Sequence, residues 1–171
     1  MRRRLVIGVA AAAIAALTVA NSLPARSAPA ADWSSPRSIE TSSGLKVYYP
    51  SVWSAVKLAG PSLAVSSFAL PKEWWASARK AVPDRGIFVW VYVAGPPLDF
   101  PRRPERFTLP DKDRRFMSCG LGFEGWNVIF TDRDATVQAF VGLGRGARKA
   151  DATELLDRLT IRRSPPSLPA T

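Results

Sequence analysis

The chain has 171 residues, enough for one domain with a real core. With 47% hydrophobic and 22% charged residues, it is too apolar for a disordered chain and too charged for a multi-span membrane protein. Its net charge of +10 favours anionic partners, although an Ala-, Arg-, Gly- and Pro-rich coding bias gives the same sign without any partner. Histidine is absent, which removes the commonest general base and metal ligand, and the single cysteine, Cys119, excludes an intrachain disulfide.

Residues 1–30 have the layout of an export signal. Arg2, Arg3 and Arg4 form a positive start. Leu5 to Ala20 is an apolar run of 16 residues, short of the roughly 20 that span a bilayer. Asn21, Ser22 and Pro24 then break it, and Ala28-Pro29-Ala30 supplies the small-x-small pattern of a cleavage site. The expectation is a protein that acts outside the cytoplasm, in the periplasm, the cell envelope or beyond. Membrane contact would come only through this segment, if it stays uncleaved. Four basic residues and no acidic one lie in it, so the remainder carries +6.

After a linker at 31–37, a single domain is expected over 38–163, followed by a Pro-rich tail at 164–171. Leu45–Tyr49 reads as a strand that Pro50 ends. Ser62–Leu70 is a second strand candidate. Pro71 suits the first turn of a helix over Lys72–Val82, which Pro83 stops. Gly86–Ala94 has apolar residues on both faces, Ile87, Val89, Val91 and Val93 against Phe88, Trp90 and Tyr92. Such a strand belongs mid-sheet, covered on each side. Residues 95–115 carry five prolines and six basic residues and read as a long irregular loop. Trp126–Thr131 and Thr136–Leu143 form a hairpin around Asp132-Arg133-Asp134-Ala135. Asp151-Ala152-Thr153-Glu154 has the spacing of a capping box and opens a helix with Leu155, Leu156 and Leu159 inward. Thr160–Arg162 adds a short edge strand. The predicted class is α+β: a twisted, mostly antiparallel sheet with helices packed on it, as an α/β/α sandwich.

Val47-Tyr48-Tyr49-Pro50-Ser51-Val52-Trp53, together with the run from Trp126 through Gly144 and then Ala152 to Ile161, resembles the PsbP-like group of small α/β/α sandwich domains. The resemblance covers roughly residues 38–162. It implies the sandwich fold and an accessory or assembly role. The group has no shared catalytic set, so no functional residue carries over.

Several motifs could carry chemistry. Gly142-Leu143-Gly144-Arg145-Gly146-Ala147 fits the G-x-G-x-x-A dinucleotide fingerprint, but too little chain follows for a second strand with a ribose-binding acid. Turn-forming glycines are the plainer reading. Ser54 with Lys57, and Ser77 with Lys80, have the S-x-x-K spacing that on a helix places hydroxyl and amine on one face. Asp111/Asp113 and Asp132/Asp134 are too few for a calcium loop, and Asp is a common turn former. Trp74 and Trp75 cannot both face the core of one helix, which leaves Trp74 as a candidate exposed anchor. Arg102, Arg103, Arg106, Arg114 and Arg115 form a basic cluster interleaved with Phe100, Phe107 and Phe116.

These features predict an exported, non-catalytic accessory or binding domain with no metal and no cofactor. It would contact an envelope protein or anionic polymer, and not nucleic acid, through Arg102, Arg103, Arg106, Arg114 and Arg115, with Trp74 as an aromatic contact. The alternatives are a serine-lysine hydrolase using Ser54 and Lys57, or a carrier of a small apolar ligand.

Overall fold

In the computed structural model, the described residues are 31–70, 82–117 and 123–162. The predicted export signal, Trp74, Trp75, Ser77, Lys80, Cys119 and the Pro-rich tail lie outside them, as does all of the predicted Lys72–Val82 helix except Val82. Among the described residues no helix is long and apolar enough to cross a membrane.

Strands β1 (Arg37–Glu40), β2 (Leu45–Tyr49) and β9 (Thr160–Ile161) form a small antiparallel sheet in the order β1-β2-β9. Strands β3 (Ser54–Lys57), β4 (Ser62–Ser66), β5 (Ile87–Gly95), β6 (Arg115–Met117), β7 (Phe123–Asp132) and β8 (Ala135–Leu143) form a larger antiparallel sheet, ordered β3-β4-β5-β8-β7-β6. One helix of the described residues, α1 (Lys149–Asp157), connects β8 to β9.

The architecture corrects the predicted α/β/α sandwich. Strands make up 45% of the described residues and helix 10%. The layer expected to be helical on one face of the large sheet is instead the small sheet, with α1 beside it. The reason lies in pairing. The half-buried alternation of Leu45, Val47 and Tyr49 specifies a strand but not which sheet it joins. Helix α1 turns the chain back so that Ile161 pairs with Leu45, and β2 joins β9 rather than the large sheet.

Strand β5 lies mid-sheet as its sequence predicts, but its aromatic face is only partly covered, with Trp90 and Tyr92 half-buried. Val89 and Val91 lie in the main core with Leu63, Val65, Trp126, Phe130, Val137 and Val141, packed against Leu45 and Val47 of β2 and Leu155, Leu156 and Leu159 at α1. Each such fully buried aliphatic side chain contributes about 1.5–3 kcal/mol through removal from water. The opposite face is aromatic: Phe88 and Phe140 are buried there, with Trp90 stacked on Phe140 at 5.3 Å between ring centroids.

The predicted hairpin is present. Asp132 pairs with Ala135, so only Arg133 and Asp134 turn the chain, with Arg133 at φ +55°. Its guanidinium donates to the Ile161 carbonyl at 3.1 Å. The capping box is a correction. Helix α1 starts at Lys149, its N-cap Arg148 makes no side-chain cap bond, and Asp151 sits buried in the first turn. Burial pushes the Asp151 carboxyl above its ordinary value, partly offset by Arg148 at 3.8 Å.

Candidate functional site

Residues 95–115 were expected to form a long irregular basic loop. They form a strap across the molecule instead. The strap touches β7 at Thr131, whose N–H donates to Pro101 O at 2.8 Å while its carbonyl accepts from Arg103 N–H at 2.9 Å. It then leaves the sheet edge, buries Phe107 and Leu109 in the main core, makes a short turn at Asp111–Asp113 and returns as β6. Phe107 stacks edge-on against Phe130 at 5.0 Å.

Arg103 explains how the strap is fixed. Its Nη1 contacts Asp132 Oδ2 at 2.9 Å and Leu159 O at 2.5 Å, and its Nη2 donates to Asp157 O at 2.8 Å and Leu156 O at 3.3 Å. These carbonyls end α1, where helix groups lack intrahelical partners and the dipole favours a cation. A planar guanidinium can bond all of them at once. Arg103 therefore staples the strap to the end of the helix.

The other predicted arginines divide. Arg106 pairs with Asp157 at 3.1 Å but is 77% exposed, so the pair contributes little. Arg114 pairs with Glu124 at 3.3 Å and lies over the Trp126 ring at 5.6 Å. Lys149 lies over the same ring at 5.4 Å and bonds Asp111 at 2.6 Å. This bond holds the Asp111 carboxyl below its ordinary value. The indole N–H of Trp126 donates to Pro110 O at 2.8 Å, so Trp126 pins the strap's turn from below. Arg102 and Arg115 are exposed, and among the described residues neither has a carboxylate within ion-pair distance.

Because the strap bows away from the sheet edge, a groove of about 580 Å³ opens between it and β7, lined among others by Pro110, Arg115, Phe116, Asn127, Ile129 and Phe140. Phe116 is 67% exposed, the largest exposure among the large apolar side chains described. Asp113 also lines the groove, so it carries both signs of charge. Along the sheet beside it, Tyr92 OH donates to Gln138 Oε1, and Gln138 Nε2 donates to Asn127 Oδ1 at 2.7 Å. These bonds fix the Asn127 amide at the groove.

In the sequence Phe116 figures only as one aromatic among the arginines and Tyr92 only on a strand face, while Asn127 and Gln138 carry no assignment. Asn127 has a weak signal, the one polar residue in the otherwise apolar run Trp126–Phe130.

The remaining motifs are dispersed. Ser54 and Lys57 lie on β3, not a helix, and pair with Ser66 and Leu63. Strand periodicity sends side chains three apart to opposite faces, so this lysine cannot activate this serine within the strand. In the glycine-rich turn, Gly146 adopts φ +76°, while a Cβ on Gly144 would lie 1.7 Å from Pro83 O. Both glycines answer to chain geometry. Asp132 is taken up by Arg103 and Asp111 by Lys149.

Comparison of the chain with family models, with curated proteins and with solved structures finds no match.

Proposed function

We propose that this is a non-catalytic binding domain of the cell exterior, and that it docks a partner protein in the groove between the strap and β7. The observation that carries this is the exposed Phe116, which lines the groove together with Arg115, a guanidinium with no carboxylate within ion-pair distance among the described residues. An exposed large apolar ring and a guanidinium without an ion-pair partner, lining one groove, are the composition of an interface anchor.

The groove favours a protein over a uniformly anionic polymer. Asp113 lines it together with Arg115, and a polyanion would be repelled by one as it is attracted by the other. A protein segment can place an acidic side chain at Arg115 and a neutral or basic one at Asp113. Three arginines of the predicted basic patch, Arg103, Arg106 and Arg114, are already paired within the fold. Arg102, at the far end of the open edge, remains as a second contact. Export and a PsbP-like accessory role agree with this reading, and both rest on the sequence.

The test is site-resolved photo-cross-linking in the native host. A benzophenone side chain at position 116 is compared with one at Val52, an exposed apolar residue in the β2–β3 turn. The expected result is one dominant protein captured from 116 and not from 52, and lost on Arg115→Glu. Identical capture from both positions, or none from 116, would reject the groove.

A further inference from the structure

We infer that the partner supplies a short extended segment that hydrogen-bonds to the open edge of β7 and so becomes an added strand of the large sheet. The inference rests on the groove reading above.

Strand β7 has ten residues, yet among the described residues its outer edge is paired only at its ends. Strand β6 pairs with Phe123–Gly125, and the strap makes a single parallel bridge, Arg102 to Thr131. Among the described residues, none outside β8 pairs with residues 126–130 between them. The direction of the backbone groups follows from the two ends. Thr131 turns both its N–H and its carbonyl outward to the strap. In an antiparallel ladder such residues alternate, and the register between β7 and β8 is unbroken from Gly125 to Asp132. Asn127 and Ile129 therefore also point their N–H and carbonyl groups outward. Among the described residues nothing bonds these four groups, and both residues line the groove.

The strap cannot fill the gap. Pro101, Pro104 and Pro110 have no N–H to give a ladder, and the intervening stretch is drawn toward the core by Phe107 and Leu109. The gap is built into the strap's sequence.

The occupant is constrained in three ways. Asn127 and Ile129 lie two residues apart, about 6.8 Å along the strand, so three residues of an extended chain satisfy all four groups. A second copy of β7 does not fit. Its own β6 and strap would project by about one strand spacing, roughly 4.8 Å, and collide with the flanks of this gap. A single narrow segment does fit. Arg115, which pairs with Gly125 at the β6 end, asks for an acidic residue at the corresponding end of that segment. Main-chain bonds would then give affinity, and Arg115 and Phe116 would give direction and register.

The experiment uses protein exported from its full-length sequence and a displayed library of random seven-residue peptides as probe. Enriched peptides should carry an acidic residue at one end of a β-prone triplet. Their binding should slow hydrogen exchange at the Asn127 and Ile129 amides. In an enriched peptide, N-methylation of two alternate amides of the triplet should weaken binding at least tenfold, and N-methylation of the amide between them should not. Ile129→Pro removes a donor the fold does not use, and should abolish binding with little change in melting temperature. Should that variant fail to fold, the N-methyl series decides the matter on the unaltered protein. Binding that is indifferent to N-methylation but lost on Phe116→Ser overturns strand addition and leaves the groove. Binding indifferent to Phe116→Ser, or no enrichment at all, overturns both.

Discussion

From Pro101 to Leu109 the strap is bound into the molecule largely by its side chains, with Arg103 across the end of α1 and Phe107 and Leu109 in the core. From Arg114 to Met117 it is held by backbone pairing to β7 and leaves Arg115 and Phe116 outside. Both stretches are basic and aromatic, and composition does not separate them. What separates them is whether the end of α1 offers carbonyls and Asp157 within reach of the guanidinium. Arg102 and Arg103 make the same point at adjacent positions: one is exposed and has no ion-pair partner among the described residues, and the other holds two elements together. A count of arginines in a loop thus measures neither its freedom nor its binding capacity.

This contrast between an anchored and an open stretch can be broken by substitution. The largest effect belongs to Phe107→Ala, which empties a core site and should lower unfolding free energy by about 3–5 kcal/mol in denaturant titration. A loss below about 1 kcal/mol would show that the strap is not core. Arg103→Ala should cost about 2 kcal/mol, because several helix-end carbonyls and Asp132 lose a charge-assisted donor together. Arg103→Lys should recover only part of this, since a point ammonium cannot span those acceptors.

Smaller is the contribution of Lys149 and Asp111. The Asp111 carboxyl is held below its ordinary value by that lysine, so the folded state takes up its proton at lower pH than the unfolded chain. The stabilisation is present above about pH 4 and is lost as pH falls through the folded value. Asp111→Asn should flatten the acid limb of a melting-temperature profile slightly. High salt should erase the difference, because the pair is exposed. The smallest effect is expected for Arg102→Ala, within about 0.5 kcal/mol of the parent. A larger loss would move Arg102 to the anchored class.

Much of the fold was legible where periodicity was strong. Strands β2, β5 and β8 and the Asp132–Ala135 turn follow from alternation and turn chemistry, and the Leu155, Leu156 and Leu159 spacing marks the buried side of α1. Strands β1, β3 and β6 were missed. They have three or four residues each and lie on sheet edges, so their pairing is set by a neighbour rather than by their own pattern. In the strap, the prolines and charges hid a usable signal, the alternating pair Phe107 and Leu109. The groove was not legible at all, because it is the space left when one segment departs from another.

By itself the sequence determined the two-faced β5, the hairpin beside it and the apolar stripe of the closing helix. These are local periodicities, in which each residue's burial is specified by neighbours a few positions away. Only the tertiary structure decided that β2 belongs to a second sheet, that Arg103 ends α1 from more than fifty residues away, and that Asn127 and Ile129 face an unfilled edge. Such contacts depend on where distant segments meet, and the free energy of a hydrogen bond or ion pair is set by the geometry and dielectric found there, which no local pattern encodes.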